Sequence, residues 1–165
     1  MNEFLLNKRS KISGFTLIEV ALVMGIFVIL ASFATINLLG PQRSADLNST
    51  VISIVADIKQ QQARSMLGDS GGGSSAVLHG IYFESNRYTL FKGLVYNAAD
   101  PKNFVVDLSS GLTLATAFPS SQVTFDLRSG EITGFTGGLN SVTLIATGGQ
   151  VKTLTFNKYG AFGVN

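Results

Sequence analysis

A long apolar run that contains a single carboxylate dominates the first quarter of the chain. Residues 15–39 are 25 consecutive positions in which Glu19 is the only ionisable side chain. As a helix rising ~1.5 Å per residue this run measures roughly 37 Å, more than the ~30 Å hydrocarbon core of a bilayer. A charge inside such a segment costs roughly 2.5–3.5 kcal/mol at its centre and less near its end. We therefore interpret Glu19 as a functional residue.

The position of Glu19 suggests a partner for its charge. If the chain is cut between Gly14 and Phe15, a free α-amino group lies four residues before Glu19, on the same helix face. The helix dipole also favours a carboxylate in the first turn. Between neighbouring subunits, Glu19 of one helix would meet the Phe15 amine of another in only one axial register. We expect Glu19 to set the register in which such helices assemble.

The residues around the proposed cut resemble a known export signal. Residues 11–19, with the sequence KISGFTLIE, are similar to the class III signal of type IV pilins and type II secretion pseudopilins. In that family a prepilin peptidase cuts after the glycine, here Gly14, and methylates the new amine, here that of Phe15. The glutamate at the fifth mature position, here Glu19, guides the subunit into a fibre. The resemblance implies four kinds of partner: prepilin peptidase, other pilin or pseudopilin subunits, an inner-membrane assembly platform, and membrane lipid before assembly.

Two other interpretations of the N-terminal region stay open. A secretory signal peptide, with an apolar stretch of about 7–15 residues, would be cut after residues 32–34 and leave Thr35 first. An uncleaved anchor would keep residues 15–39 in the bilayer. Basic residues at positions 8, 9 and 11 place the N-terminus in the cytoplasm in every case. The family resemblance implies a single pass through the inner membrane, followed by a periplasmic or extracellular fibre.

The charge balance and the absence of cysteine exclude or disfavour several classes of function. Without the predicted leader, residues 1–14, the chain keeps nine basic and nine acidic side chains, so bulk charge does not favour nucleic acid as a partner. The absence of cysteine excludes disulfides and thiolate metal sites, and the single histidine, His79, argues against zinc. Many pilins close a C-terminal loop with a disulfide, and this chain departs from that pattern. We expect no cofactor.

A helical continuation is predicted over residues 40–67, ending around Leu67 and Gly68. Proline removes an internal hydrogen bond and disfavours helix in the preceding residue. At Gly40 and Pro41 we therefore expect either a kink or a simple boundary between anchor and domain. Apolar residues recur beyond this point at helical spacing, which indicates an amphipathic helix with one face on a sheet. The predicted stripe is Leu47, Val51, Val55, Ile58 and Met66.

The rest of the chain predicts a β-rich domain, residues 77–165, after a Gly/Ser loop at residues 68–76. The fold class is therefore α+β, with a long N-terminal helix packed on an antiparallel sheet. In residues 122–127, strict alternation puts Val123, Phe125 and Leu127 on one face. Two hairpins are expected, one around residues 84–86 and one around residues 147–149. The predicted strands cover residues 77–83, 87–91, 104–108, 122–127, 131–135, 140–146 and 150–156.

The pattern of these strands is similar to the globular domain of H-type minor pseudopilins and related minor pilins. The similarity lies in GIYF at residues 80–83, YTLF at 88–91, and the strand ends VTF and LTF at 123–125 and 154–156, each followed by a glycine. It implies a structural subunit, a minor one, and not an enzyme. Residues 93–121 match no known pattern.

A different class of function, a fibre-tip module that binds DNA or a surface ligand, is the main alternative. Lys152 and Lys158 alone make a weak track for phosphates. The string GDSGG at residues 68–72 matches that around a protease nucleophile, but such chemistry needs a converging His and Asp that this sequence does not offer. Calcium at Asp100 and Asp107 is conceivable, although neither lies in a recognisable loop pattern.

Overall fold

The computed structural model describes the backbone of residues 14–165 and their side chains except at residues 33–43. The predicted leader lies outside the described residues, apart from Gly14. The chain divides into two units with a boundary between Gly40 and Pro41. One helix, α1 (Leu17–Leu67), continues through this boundary in its secondary-structure assignment. The predicted kink at Gly40 and Pro41 stays a prediction.

In the first unit, apolar side chains cover α1 on every side. All described residues from 17 to 32 are exposed. Their exposed fraction is 89 % at Leu17, 62 % at Leu22 and still 50 % at Val20. Within the part of the chain that the structure describes, no helix combines the length and the hydropathy needed to cross a membrane.

In the second unit, α1 buries one stripe whose members are spaced alternately four and three residues apart. The predicted residues Leu47, Val51 and Ile58 are buried, and Val55 packs against the core as a half-buried residue. The prediction that Met66 belongs to the buried stripe is wrong, because its side chain is 47 % exposed. The stripe runs through Ser65, and Met66 follows it by one residue, about 100° further round the helix. The stripe comprises Leu47, Val51, Ile54, Ile58, Gln61 and Ser65.

The helix ends where the sequence predicts. Gly68 has a φ of +69°, the left-handed conformation that glycine adopts readily after a last helical turn. The Asp69 N–H donates to the Arg64 carbonyl at 2.9 Å and closes this turn.

Eight strands follow and form two four-stranded sheets, in which every pairing is antiparallel. Sheet A has the order β3-β2-β1-β5, and sheet B has the order β4-β6-β7-β8. The strands are β1 (His79–Phe83), β2 (Arg87–Lys92), β3 (Phe104–Asp107), β4 (Leu112–Thr116), β5 (Gln122–Phe125), β6 (Ser141–Ala146), β7 (Val151–Phe156) and β8 (Phe162–Val164).

Both predicted hairpins are confirmed, as β1–β2 and β6–β7. The strand predicted at residues 131–135 is wrong, since only Ile132 makes an isolated bridge, to Phe125, before the chain turns at Gly134 with a φ of +65°. The strand predicted at residues 122–127 ends at Phe125. Strands β4 and β8 were not predicted, and they are short elements that lie at sheet edges.

The core lies between α1 and the two sheets, and Phe118 joins the sheets within it. Its ring stacks on Phe83 of sheet A at 6.3 Å between centroids and tilts against Phe156 of sheet B at 5.8 Å. The Leu114 N–H of β4 also donates to the Ser85 carbonyl in the β1–β2 turn, at 2.8 Å. The two sheets therefore share one apolar core.

The segment between β2 and β3, which forms no strand, covers the face of sheet A that points away from the core. Thr124, which the alternation places on the face opposite Val123 and Phe125, is only 5 % exposed, and its hydroxyl donates to the Leu94 carbonyl at 3.2 Å. The Tyr82 and Tyr96 rings stack at 4.1 Å. The alternation of side chains along β5 therefore does not separate a solvent-exposed face from a buried face.

Two turns of similar sequence meet on α1 at Gln62. The Gln62 amide donates to the carbonyls of Gly130, at 2.7 Å, and Tyr159, at 2.9 Å. Lys59 donates to the Gly160 carbonyl at 2.9 Å and to Gln62 Oε1 at 3.1 Å. Gly160 has a φ of +71°, and a Cβ there would lie 2.6 Å from the Gln62 amide nitrogen, so a larger residue would be strained and would displace this amide. Polar contacts thus continue the buried stripe of α1 where its apolar residues end.

Candidate functional site

The candidate site lies at the start of α1 and comprises the residues around the predicted cut. Gly14, Phe15 and Thr16 precede the first helical residue, Leu17. Nothing lies within 4 Å of the position that a Cβ on Gly14 would take, and Phe15 is 85 % exposed. The peptide bond between Gly14 and Phe15 is therefore open to its surroundings.

Glu19 forms a capping box with Thr16. The Glu19 N–H donates to the Thr16 hydroxyl oxygen at 3.3 Å, while the Glu19 carboxylate accepts from both the N–H and the hydroxyl of Thr16, each at 3.4 Å. This reciprocal arrangement gives the Thr16 N–H a partner, and the Glu19 N–H also donates to the Thr16 carbonyl at 3.1 Å. The three side-chain distances exceed the usual range for such bonds, so the cap is weak. The Glu19 carboxylate can therefore exchange this cap for a stronger partner.

The sequence analysis missed Thr16, although a signal for it exists. A threonine followed by a glutamate three residues later, before an apolar run, is the sequence signature of a capping box. Thr16 and Glu19 meet that description.

The carboxylate of Glu19 stands in an apolar setting. A shallow depression of about 230 Å³ is lined by Phe15, Glu19, Val20, Val23 and Met24. Phe15 and Glu19 thus share one face, and no other charged residue lines this depression. If another helix or lipid covers the face, the carboxylate loses its water and requires a positive partner.

A small-residue pair follows on the same helix. Ala21 and Gly25 are four residues apart and exposed, and nothing lies within 4 Å of the position that a Cβ on Gly25 would take. Small residues at this spacing allow two helix backbones to approach closely.

The GDSGG string forms a closed loop in which the side chains hold backbone groups. The Asp69 carboxylate accepts from the Gly71 N–H at 2.8 Å and from Arg64 Nε at 2.7 Å, and these two contacts lower its pKa. Nε2 of the buried His79 lies 3.0 Å from the Asp69 carbonyl oxygen. No hydrogen bond joins His79 to Ser70 among the residues that the structure describes. The loop is therefore organised as a turn against β1.

One residue of each of the two other candidate sites has a partner of its own. Lys158 pairs with Glu131 at 2.9 Å, a contact that raises the Lys158 pKa and weakens the suggested phosphate track. Asp100 accepts from the Lys102 N–H at 2.9 Å. Over residues 14–165, leaving out side chains 33–43, no group of three or more acidic or histidine side chains could hold a metal ion.

A comparison with known protein families points to the same N-terminal region. Residues 9–35 match the family described as the prokaryotic N-terminal methylation motif. Over 51 residues the chain is 49 % identical to the type II secretion system core protein G of Vibrio cholerae serotype O1. This alignment covers 31 % of the chain and 35 % of that relative, so the chain spans about a third of the relative's length. No solved structure matches the chain significantly.

The matched family and the geometry of the site concern the same residues. Gly14, Phe15 and Glu19 all lie within residues 9–35. The same stretch contains the exposed Gly14–Phe15 bond, the lone carboxylate and most of the apolar run. In this N-terminal signal, the chain is similar to type IV pilins and type II secretion pseudopilins.

Proposed function

We propose that the chain is a structural subunit, and not an enzyme, of a type IV pilus-like or type II secretion pseudopilus fibre. The observation that carries this proposal is the single carboxylate, Glu19, at the start of an apolar helix that is exposed on all sides over residues 17–32. So large an apolar surface requires a cover. Lipid supplies the cover before assembly, and the helices of neighbouring subunits supply it in the fibre.

Processing and location follow from the N-terminal signal. Prepilin peptidase cuts between Gly14 and Phe15 and methylates the Phe15 amine. Residues 15–39 hold the subunit in the inner membrane, with the N-terminus in the cytoplasm, until the assembly platform moves it into a periplasmic or extracellular fibre. Support comes from the methylation motif at residues 9–35 and from the unbroken apolar run.

Glu19 changes partner during assembly. Before assembly it caps its own helix through Thr16, with distances of 3.3–3.4 Å. In the fibre it pairs with the Phe15 amine of a neighbour, and two charges in an apolar environment attract far more strongly than they do in water. Transfer of apolar surface from lipid to protein yields little net free energy, so an external motor drives extraction. A bend at Gly40 and Pro41 lets the helix adapt.

The proposed subunit is a minor one. The support is the similarity of its strand pattern to H-type minor pseudopilins and related minor pilins. The alternatives are a fibre-tip module for DNA uptake or adhesion, and a plain membrane-anchored or secreted β domain. The pairing of Lys158 with Glu131 leaves Lys152 as the remaining cation of the suggested phosphate track, which weakens the case for DNA.

The substitution Glu19→Ala tests the register role. We expect the variant to be cleaved and inserted like the wild type, but to enter sheared fibres at least about tenfold less, because a lost pairing of ~1.4 kcal/mol is already a factor of ten in an equilibrium constant. Leu22→Ala, one turn along the same exposed helix, is the matched control and should assemble normally. Normal incorporation of the Glu19 variant would remove the register argument.

Mass spectrometry of the membrane and fibre fractions tests the processing and the subunit class. A methylated Phe15 at the N-terminus supports the proposal, whereas a chain that begins at Thr35 or keeps its leader contradicts it. The ratio of this chain to the most abundant subunit in the fibre fraction tests the minor assignment. A ratio near or above one would make it the main repeating subunit.

A further inference from the structure

A groove of about 460 Å³ lies between α1 and the β3 side of sheet A, far along the chain from the N-terminal signal. We call it the α1–β3 groove. One wall is a face of the helix, and the floor is the outer part of the sheet. Its lining includes Gln61, Arg64, Leu90, Lys92, Lys102 and Phe104.

The apolar floor of the α1–β3 groove is only partly covered. Phe104 on β3 pairs directly with Leu90 on β2, so both side chains lie on the same sheet face. Leu90 is 9 % exposed and belongs to the core, whereas Phe104 is 64 % exposed. The cover that α1 gives to this sheet face therefore ends between β2 and β3.

The helix wall contains a buried polar group without a partner. Gln61 is only 1 % exposed, and its Oε1 accepts no hydrogen bond from the described residues. A buried oxygen without a donor is costly and uncommon in folded proteins. The wall of the groove is thus polar and incompletely satisfied at the point where Gln61 meets it.

Two lysine side chains lie at one end of the groove, next to Gly71. The Lys92 side chain lies against Gly71, with its Cδ 2.9 Å from the position that a Cβ on Gly71 would take. Lys102 Nζ donates to the Gly71 carbonyl at 2.7 Å. Neither lysine forms a salt bridge with a carboxylate of the described residues, whereas Arg64 is neutralised by Asp69. This end of the groove therefore favours a negative ligand.

The strand beside the groove has a free edge. The Leu108 N–H donates to the Asn86 carbonyl, so in the antiparallel register the backbone groups of Val106 and Phe104 also face β2. The N–H and C=O groups of Val105 alternate with these and point away from sheet A. No backbone partner for Val105 exists on that side among the described residues. Such an edge can accept another strand.

We propose that the α1–β3 groove binds an extended acidic and apolar segment of a partner protein. The segment adds a fifth strand to sheet A at the edge of β3, covers Phe104, and places a carboxylate against Lys92 and Lys102. Asp57, the carboxylate that lines the groove, already accepts the Tyr88 hydroxyl at 2.6 Å and does not neutralise this end.

We take the occupant to be a different protein of complementary charge, because Lys92 and Lys102 lack a carboxylate partner among the described residues. Most carboxylates of the described residues already accept a hydrogen bond, as Glu84 does from Arg87 and Asp126 from Thr133. Those without such a bond in the described part are Asp46, in α1, and Asp107, on β3 itself. Asp46 lies in a helix, and Asp107 ends the strand whose own edge forms the site, so a second copy is the alternative occupant that the self-association measurement distinguishes. This inference does not depend on the fibre function proposed above.

Fluorescence polarisation with the full chain in detergent micelles tests the proposal. The probe is a labelled heptapeptide in which valines alternate with glutamates, and its twin carries lysines in place of the glutamates. We expect saturable binding of the acidic peptide and at least about tenfold weaker binding of the twin. Equal binding of the two peptides, or of neither, would overturn the proposal.

Variants of the groove sharpen this test. Lys92→Glu should weaken binding of the acidic peptide about tenfold or more, whereas Lys152→Glu, a charge reversal on sheet B, should not. Phe104→Ala should weaken it through lost apolar contact. Val105→Pro removes an outward N–H without touching the β2–β3 ladder and should abolish strand addition.

The outcomes separate the possible occupants. If Val105→Pro fails to fold by circular dichroism, Lys92→Glu and Phe104→Ala still decide the question. An unchanged affinity in both would overturn the proposal. Self-association in light scattering that Lys92→Glu abolishes would identify a second copy as the occupant, and would also overturn it. Because fibre assembly is not part of the assay, failure here leaves the proposed fibre function untouched.

Discussion

The two halves of α1 carry similar apolar side chains in opposite environments. Leu22 is 62 % exposed and every described residue from 17 to 32 is exposed, whereas Ile54 is fully buried. Around Ile54 the helix is apolar along one stripe, and that stripe packs into the core with the two sheets. The first half has no stripe, because its apolar residues cover all sides.

The contrast shows that hydrophobicity serves two purposes within one helix. A helix that is apolar all round requires an environment outside its own chain, whereas an amphipathic helix can be satisfied by its own domain. The same substitution should therefore affect the stability of the domain in one half and leave it unchanged in the other.

Truncation of matched aliphatic residues in the two halves should give the largest contrast. Ile54→Ala leaves a cavity in the shared core and should lower the free energy of unfolding by about 2–5 kcal/mol. Leu22→Ala should change it by less than about 0.5 kcal/mol, because the Leu22 side chain is 62 % exposed. Urea unfolding of the full chain in detergent, followed by tyrosine fluorescence, measures both. Comparable losses in the two variants would contradict the division of the helix into two environments.

Substitution of Gln62, at the polar end of the buried stripe, should lower the free energy of unfolding by less than substitution of Ile54. Gln62→Ala leaves the carbonyls of Gly130 and Tyr159 without their donor and should cost about 1–3 kcal/mol. Gln60→Ala is the control, because Gln60 is exposed and its side chain forms no hydrogen bond among the described residues. The same urea experiment applies. If the two glutamine variants lose equal stability, the meeting of the two turns on Gln62 contributes nothing.

The hydroxyl of Tyr88 should contribute least and should depend on pH. Burial, and then the hydrogen bond to Asp57, raise the pKa of Tyr88 above its ordinary value of 10.0. The contribution of the protonated Tyr88 hydroxyl to the free energy of unfolding is therefore fully present below about pH 10. It is lost as the pH rises above that value. Tyr88→Phe should lower stability by about 1 kcal/mol at pH 7 and should remove this alkaline loss.

Tyr159→Phe is the control for the alkaline experiment, because Tyr159 is 67 % exposed. Unfolding free energies measured between pH 7 and 11 should overlap those of the wild type for this variant. An unchanged alkaline slope in Tyr88→Phe would show that the contact with Asp57 does not couple α1 to sheet A.

The sequence by itself determined the features that depend on neighbours along the chain. The capping pair Thr16 and Glu19, the helix end at Gly68 and the two hairpins all involve residues within a few positions of one another. Local hydrogen bonds and the period of apolar residues specify such features directly, and the N-terminal signal is itself one continuous segment.

Only the tertiary structure decided which distant residues meet. Thr124 is buried because the segment at Leu94 covers it, and Gln62 is buried because two distant turns contact it. Strand β8 forms because Phe162 pairs with Phe156 in sheet B. Burial is a property of the neighbours that a residue acquires on folding, and those neighbours lie far away along the chain. The spacing of apolar residues within a short segment therefore does not reveal these distant neighbours.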